Sequence, residues 1–204
     1  MNIKDALQFK GRPFNIPDAG RDDLPEFFVE MGYKVGAEIG TRQGLYAEVI
    51  CKAGLKLYCV DPWLDYPDYS TGRPEWQSQL NSQYEETKKR LAPYNVSYIR
   101  KLSMDALNDI ADESLDFVYI DGNHDFVYVI NDIHEWAKKV KKGGCISGHD
   151  YFYHRGHGFE KIKVKEAVDS YTTVYNKDFY VIGEKNSIEG HKRDKHRSWF
   201  FIKE

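Results

Sequence analysis

Two groups of polar residues in this chain have the types and spacing that chemistry requires. The first consists of Glu38, Gly40, Gly44 and, twenty-one residues after Gly40, Asp61. A glycine turn after a short apolar run lets the backbone approach a ligand, and an acidic residue at about this distance can accept hydrogen bonds from ribose hydroxyls. The first group therefore predicts a site for a nucleoside cofactor.

The second group stands at the ends of two further apolar runs, where Asp121 and His124 follow one run and His149 and Asp150 follow the other. If the runs are neighbouring parallel strands, spaced by ~4.8 Å, the side chains converge. Carboxylates with an imidazole suit Mg²⁺ or Mn²⁺, so Asp121, His149 and Asp150 are candidate metal ligands, with His124 as the alternative imidazole. Two alternatives stay open: a histidine acting alone as general base, and purely structural capping.

Apolar runs and helical patterns alternate along the chain, and they predict the elements that must position these residues. Strands are expected at 34–39, 56–60, 96–101, 115–120, from 145 to 148, 179–182 and 199–202, and helices at 23–31, 44–53, 75–92, 104–111, 126–141 and 160–172. Five alternations of strand and helix indicate a mainly parallel, doubly wound sheet in one α/β three-layer sandwich. The last two strands have no helix between them, so they must run antiparallel. Residues 1–20 are expected to form a loose arm of a single domain spanning 1–204.

The composition excludes several classes of protein. The chain has 204 residues, of which 41% are hydrophobic, and its net charge of −3 makes nucleic acid a poor partner. Three cysteines beside apolar runs indicate buried thiols of a reducing compartment. No apolar run is long enough for a membrane span, and the first residues lack a signal core, so we expect a cytoplasmic protein without membrane partners. Oligomerisation stays open.

The residues within the glycine turn distinguish between cofactors. A dinucleotide site favours G-x-G-x-x-G, but Thr41, Arg42 and Gln43 separate the two glycines here. Glu38 before the turn suits a ligand with an ammonium group and no phosphate at that point. S-adenosylmethionine (SAM) has this chemistry, since it joins a ribose to an amino-acid head.

Three blocks in order carry a resemblance to a known family. They are Glu38-Ile-Gly-Thr-Arg-Gln-Gly44, Val60-Asp-Pro-Trp63, and Val118–His124 together with Gly143–Tyr151. In these blocks the chain resembles the class I SAM-dependent methyltransferases, in the branch related to macrocin O-methyltransferase and cephalosporin hydroxylase-type proteins. The resemblance implies a Rossmann-like, seven-stranded, mostly parallel sheet with a reversed last strand.

The resemblance also implies roles for individual residues. The methionine end of SAM would be surrounded by Glu38, Gly40, Thr41 and Gly44, and Asp121 would adjoin the cofactor. Asp61 would take the ribose, and Trp63, Ser103 and Met104 would border the adenine. Related antibiotic O-methyltransferases depend on a metal. In those relatives the fifth strand, expected here from 145 to 148, ends in two acidic residues, and in this chain His149 stands in place of the first of them.

Three segments are candidates for contact with the acceptor. Residues 63–76 form an aromatic flap suited to a sugar ring or an aromatic acceptor, with Trp63, Tyr66, Tyr69 and Trp76 as its aromatic residues. Tyr151 opens a glycine-containing stretch, 151–158, that is a candidate lid. The basic loop 184–197 could favour an anionic acceptor, although a solvated turn explains it as well.

The sequence thus favours a SAM-dependent O-methyltransferase acting on a small hydroxylated acceptor, such as a sugar or glycan component. Its candidate catalytic residues are Asp121, His124, His149 and Asp150. Two alternatives remain: an NAD(P)-dependent oxidoreductase, and a SAM-binding protein without turnover.

Overall fold

The computed structural model describes residues 1–69, 72–153, 162–183 and 196–204. Its strands are β1 (Phe14–Asn15), β2 (Val35–Ile39), β3 (Lys56–Val60), β4 (Val96–Ile99), β5 (Leu115–Ile120), β6 (Val140–Gly148), β7 (Tyr180–Ile182) and β8 (Ser198–Ile202). Its α-helices are α1 (Ile3–Ala6), α2 (Leu24–Glu30), α3 (Leu45–Lys52), α4 (Trp76–Leu91), α5 (Ser103–Ala106), α6 (Phe126–Lys139) and α7 (Val164–Val174). Two 3-10 turns, Arg21–Asp23 and Leu107–Asp109, precede α2 and follow α5.

All eight strands of the described residues join one sheet in the order β1-β7-β8-β6-β5-β2-β3-β4. Strand β8 runs antiparallel to both β6 and β7, and the other pairs are parallel. The predicted doubly wound α/β fold with a reversed last strand is confirmed. The eighth strand, β1, is the difference from the seven expected.

Helices cover both faces of the sheet because alternate strand residues feed two apolar clusters. On β5, Phe117 and Tyr119 join the cluster under α1, α2 and α3, whereas Val118 and Ile120 join the cluster under α6 and α7. This alternation is the period of a strand that is buried on both faces. The predicted three layers are therefore present.

The first twenty residues are not the loose arm that their glycines and prolines suggest. The side chains of Ile3, Ala6 and Ile16 are buried in the cluster beside α2. Strand β1 pairs with β7 in parallel, with Phe14 opposite Tyr180. A few apolar side chains anchor the segment in the core. Because turns separate them, they show neither the helical nor the strand period from which a sequence prediction is made.

The boundary between α6 and β6 also differs from the prediction. The pattern predicted a helix to 141 ended by two glycines, but β6 already begins at Val140. The register shifts between the pairs Leu115–Val140 and Phe117–Cys145, so the intervening residues bulge out of the strand. Gly143 lies within this bulge with φ of +77°, a conformation that favours glycine.

Candidate active site

The glycine turn after β2 packs directly against the loop after β5. Gly40 has φ of +92°, and a β-carbon at this position would lie 2.2 Å from the Asp121 carbonyl oxygen. Gly44 precedes α3 with φ of +68°, where a β-carbon would lie 2.9 Å from a methyl carbon of Thr87. Both glycines are therefore required by close approach as well as by backbone conformation. The turn brings two strand ends together at one edge of the sheet.

Asp61 fixes the shape of this edge. Its two carboxylate oxygens accept hydrogen bonds from the backbone N–H groups of Arg42, at 2.9 Å, and Trp63, at 2.7 Å. Burial raises the pKa of Asp61, although the hydrogen bonds from Arg42 and Trp63 oppose this shift. Each oxygen keeps a lone pair, so the carboxylate can still accept from a ligand hydroxyl.

Trp63 lies in the core and not in the cavity. Its backbone has a φ of +42°, which turns the chain, and its ring is fully buried beside Tyr84 at 4.7 Å. The indole Nε1 donates to the Arg42 carbonyl at 2.7 Å, and the Thr87 hydroxyl donates to the same carbonyl. Trp63 thus supports the glycine turn from behind and does not line the cavity, where the sequence predicted it beside the adenine and the acceptor.

Glu38 ends β2 beneath the turn as a buried acid. Burial raises its pKa to about 8, with the charges of Asp121 and Asp61 adding to the shift and a Thr41 hydrogen bond opposing it. Within the described residues, its Oε2 atom is buried without a hydrogen-bond partner. A buried carboxyl with an unused acceptor atom is poised for a cationic donor.

Three side chains meet where β5 and β6 end. His124 Nε2 lies 3.3 Å from an oxygen of Asp121 and 3.2 Å from an oxygen of Asp150. Ligand atoms of Asp121, His124 and Asp150 all lie within 4.8 Å of one another, close enough to hold one metal ion. Burial lowers the pKa of His124, but the hydrogen bond to Asp121 and the two negative charges outweigh it, so the pKa is raised overall.

Two further histidines border this cluster. His149 Nδ1 lies 3.5 Å from Asp150 and 3.8 Å from Asp121. His196 Nδ1 lies 3.0 Å from Asp150, so a residue just before β8 reaches the same carboxylate. The sequence offered His196 only as a member of a basic loop, whose residues 184–195 lie outside the described residues. Of the two histidines that the sequence offers beside Asp121 and Asp150, His124 is the one whose ring nitrogen belongs to the group that could hold a metal ion.

These groups line a cavity of about 1090 Å³ at the carboxyl ends of the strands. Of the predicted site residues, the following line it: Gly40, Asp61, Tyr66, Tyr69, Ser103, Met104, Asp121, His124, His149 and Asp150. The following do not line it: Glu38, Thr41, Gly44, Trp63, Trp76 and Tyr151. Ligand sites of proteins commonly measure roughly 300–1,000 Å³, so the cavity has room for a cofactor and a small acceptor together.

The aromatic flap contributes two tyrosines to one wall. Tyr66 and Tyr69 stack with ring centroids 5.5 Å apart, and Asn123 Nδ2 donates to the Tyr66 hydroxyl at 3.5 Å. Asp68, between them in sequence, accepts from the Tyr128 hydroxyl. Trp76 lies behind Tyr69, with centroids 6.1 Å apart, as the buried first residue of α4. Residues 70 and 71 lie outside the described part of the flap.

Tyr151 points away from the cavity. Asp150 has φ of +57°, so the chain turns after β6. The Tyr151 hydroxyl then donates to Asp169 on α7 at 2.7 Å, and its ring packs on Phe179. The remainder of the candidate lid, from 154 onwards, lies outside the described residues.

Asp132 is an acidic residue of the cavity that the sequence did not reveal. It lies on α6, is only 3% exposed and lines the cavity. The Ser103 hydroxyl donates to its Oδ1 atom. The only signal in the sequence is an aspartate at an apolar position of an amphipathic helix, where a buried charge would be costly without a role.

One curated protein is similar to this chain in sequence. The uncharacterized protein y4gI of Sinorhizobium fredii (strain NBRC 101917 / NGR234) is 27% identical over 134 residues. That match covers 60% of this chain and 13% of y4gI, so the chain spans a small part of that relative's length.

Solved structures share the fold across nearly the whole chain. Cofactor-bound Rv0187 from MTB aligns with a TM-score of 0.66 and 14% identity, covering 90% of this chain and 79% of that one. An O-methyltransferase from Bacillus cereus in complex with SAH aligns with a TM-score of 0.64 and 12% identity, covering 90% and 80%. An rRNA methylase from Streptococcus thermophilus reaches 0.59 at 13% identity, covering 92% and 98%. At such identities the likeness shows the fold alone.

Among the described residues, none of the helices has the length and apolarity to cross a membrane. The model of the family described as "Methyltransferase domain" matches residues 37–151, from the strand before the glycine turn to the residue after Asp150. This match includes more than half of the chain and every group of the cavity edge described above except His196. The chain is a member of this methyltransferase family and has the fold of a class I SAM-dependent methyltransferase.

Proposed function

We propose that this protein is a SAM-dependent O-methyltransferase acting on a small hydroxylated acceptor, such as a sugar or a glycan component. One observation carries the proposal: the cluster of Asp121, His124 and Asp150 lies in the same cavity as the glycine turn and Asp61. A nucleoside-binding edge and a proton-accepting cluster thus face one space.

The residues around the glycine turn fit SAM. Asp61 offers carboxylate lone pairs to ribose hydroxyls, and the glycine at position 40 leaves the backbone uncovered. Glu38 lies behind the turn, and a nearby ammonium group would stabilise its carboxylate form, either directly after a small movement or through a water molecule. When bound, SAM supplies a methyl group on a sulfonium, which is an excellent leaving group.

His124 is the residue that we assign to proton transfer. The two carboxylates beside Nε2 orient the ring and stabilise the imidazolium that forms when it takes a proton from an acceptor hydroxyl. Asp121 and Asp150 therefore act on the reaction through His124. Since the leaving group is good, positioning of the hydroxyl supplies much of the remaining rate.

Asp121, His124 and Asp150 also fit a divalent cation. The donors are two carboxylates and one imidazole, a mixture that suits Mn²⁺ better than Mg²⁺, which prefers oxygen ligands alone. A cation held there would lower the pKa of an acceptor hydroxyl. With a cation bound to His124, His149 would be the neighbouring base that accepts the proton of the acceptor hydroxyl. Without a cation, His124 itself would be the general base.

For the acceptor, we propose a ring that packs on Tyr66 and Tyr69. Aromatic faces beside Asp68 and Asn123 offer apolar contact together with hydrogen-bond acceptors and donors, the combination that a sugar needs. Because an rRNA methylase has the same fold, the fold alone does not identify the acceptor. The proposal of a small acceptor therefore rests on this wall of the cavity. Three buried free cysteines, Cys51, Cys59 and Cys145, support a reducing, cytoplasmic location.

The first experiment separates binding from transfer. Calorimetry with SAM should give saturable binding, and labelled SAM with a panel of sugars, glycan fragments and catechols should give methylated product. His124→Gln should keep SAM affinity and lose roughly 10²–10⁴-fold in rate. His134→Gln, on the exposed side of α6, is the matched control and should change neither. Absence of SAM binding would contradict the proposal, and binding without transfer to any acceptor would favour the non-catalytic alternative.

A second experiment tests the metal. Mn²⁺ titrated into chelator-treated protein should bind with one site per chain, and Asp150→Asn should weaken that binding. Full activity in chelator, with no bound Mn²⁺, would instead support metal-free catalysis by histidine. Asp169→Asn, outside the cavity on α7, is the control variant.

A further inference from the structure

Asp132 is a buried acid that the reaction proposed above does not use. It lies within α6, 3% exposed, and its carboxyl group faces the cavity beside Gly122. A β-carbon at position 122 would lie 3.8 Å from Asp132 Oδ2. Within the described residues, no cation forms an ion pair with this carboxyl group.

The other oxygen, Oδ1, is held by a chain of hydrogen bonds whose direction is fixed. Trp136 Nε1 donates to the Ser103 hydroxyl oxygen at 2.7 Å. Indole can only donate, so the single hydroxyl proton of Ser103 is free to go to Asp132 Oδ1. Oδ2 makes no hydrogen bond to any described residue. One oxygen is thus anchored, and the other is an unused acceptor at the cavity surface.

The position of this acceptor along the sheet identifies which part of a ligand it meets. The strand order β6-β5-β2-β3-β4 places Asp150 and Asp121 at one end of the cavity, Asp61 near the other, and Ser103 beyond it. If Asp61 binds the ribose, the base extends from there towards Ser103 and Asp132. Adenine presents an exocyclic amine, which is a hydrogen-bond donor.

We propose that Asp132 is a specificity-determining residue that accepts a hydrogen bond from the exocyclic amine of the nucleobase and so selects adenine over a 6-oxopurine. The inference rests on the proposed function, since it assumes that SAM occupies the cavity. Trp136 and Ser103 are positioning residues that keep Oδ2 directed at the base.

The experiment compares two ligands that differ at the 6-position of the purine and at the adjacent N1, which carries a proton only in the 6-oxopurine. S-adenosylhomocysteine carries the amine, whereas S-inosylhomocysteine carries a carbonyl oxygen at the same position. At pH 8.5 the wild-type protein should bind the adenosyl ligand at least about tenfold more tightly, because the inosyl oxygen faces a carboxylate. Asp132→Asn has the same shape and offers an amide N–H at Oδ2, so it should abolish or reverse this preference.

Acidity gives a second, independent readout. Burial raises the pKa of Asp132 to about 7, with the Ser103 hydrogen bond opposing the shift. Below this pH the carboxyl gains a proton and can donate, so the wild-type preference for the adenosyl ligand should shrink at pH 6. His124 and Tyr66 also line the cavity, but they meet the same part of both ligands, and the ratio of the two dissociation constants cancels their effect. The ratio for Asp132→Asn should not change with pH.

Three variants decide the outcome. Ser103→Ala should lower the preference by freeing the carboxyl, and Asp109→Asn, on the surface, should leave it unchanged. A wild-type preference retained in Asp132→Asn would overturn the inference while the proposed function stands. If Asp105→Asn lost the preference and Asp132→Asn kept it, base recognition would belong to α5, and the inference would be overturned as well. If the wild-type protein binds neither ligand nor SAM, the proposed function and the inference both fail.

Discussion

Glu38 is a residue whose charged form is unfavourable in the ligand-free protein and would be favourable beside a bound cationic ligand. It is buried near Asp61 and Asp121, so three acids share one region of low polarity. Desolvation makes the charged form unfavourable, and the carboxyl stays protonated up to a pH of about 8. A cationic ligand would reverse this balance by stabilising the carboxylate.

The first prediction concerns Glu38→Gln and the pH dependence of stability. Because the pKa of Glu38 is raised in the folded state, its contribution to stability is fully present below its ordinary pKa and is lost as pH rises through about 8. The wild-type protein should therefore lose stability between pH 6 and pH 9, and Glu38→Gln should lose less. Thermal melts of the ligand-free proteins at both pH values measure this, and equal losses would contradict it.

The same substitution should act in the opposite direction on ligand binding. Loss of a charge-assisted contact to an ammonium group costs about 1.5–3 kcal/mol, so SAM affinity should fall roughly 10- to 100-fold. Calorimetry at pH 7.5 measures this. Gain of stability with unchanged SAM affinity would mean that Glu38 does not face the amino-acid head.

At the scale of single residues, most of the acids that the sequence offered line the cavity, whereas Trp63, Trp76 and Tyr151 do not. Asp61, Asp121 and Asp150 lie at strand ends, where the topology places any side chain near the cavity. Trp63 and Tyr151 each follow or occupy a position with positive φ, which rotates the chain by an amount that no alternation pattern predicts. Asp132 lay within a helix, where only the tertiary contact to Ser103 reveals its role.

The turn between β2 and α3 is the element on which the two halves of the site converge. Its position 40 touches the loop after β5, and its Arg42 carbonyl is held by Trp63 and by Thr87 from α4. A shift of the turn would therefore displace Asp121 and Asp61 together.

Gly40→Ala tests this coupling. A β-carbon 2.2 Å from the Asp121 carbonyl oxygen forces one loop to move, so SAM affinity should fall at least about tenfold and the melting temperature should drop. Gly54→Ala is the matched control, because Gly54 also has positive φ, at +83°, but no atom lies within 4 Å of a β-carbon there. Both variants carry the backbone cost, so equal effects of the two would show that contact with the Asp121 loop has no importance.

Helices and strands were predictable where the spacing of apolar residues agrees with the positions of turn residues, and less so where the two conflict. Strands β2, β3 and β5 are short apolar runs before polar turns, and each forms close to its predicted range. The start of β6 was missed because helical spacing continues to Val140 while the backbone has already changed to a strand. Bulges such as the one around Gly143 depend on pairing with β5, which is not a local property.

For the whole molecule, the first twenty residues close the core on one side of the sheet. Ile16 is fully buried, and its backbone N–H donates to the Val181 carbonyl at 2.9 Å. The segment therefore belongs to the folded unit although its sequence looks like a linker.

Ile16→Ala should destabilise the protein by about 2–4 kcal/mol, since it leaves a cavity between β1 and the core. Chemical denaturation measures this change. Val174→Ala, at a position 77% exposed, should cost less than about 0.5 kcal/mol. A cost at position 16 as small as that at 174 would mean that the segment detaches without loss to the rest of the molecule.

The antiparallel strand β8 has a consequence for the order in which the chain can be assembled during synthesis. Within the described residues, strand β7 pairs only with β8 and the short β1, and β8 itself lies between β6 and β7. While residues 198–202 are still inside the ribosome, β7 has no neighbour on the β6 side, and His196 cannot reach Asp150. The nascent chain must therefore expose one edge of β6 until its last strand emerges, and this open edge is the stage at which we expect the protein to depend most on chaperones.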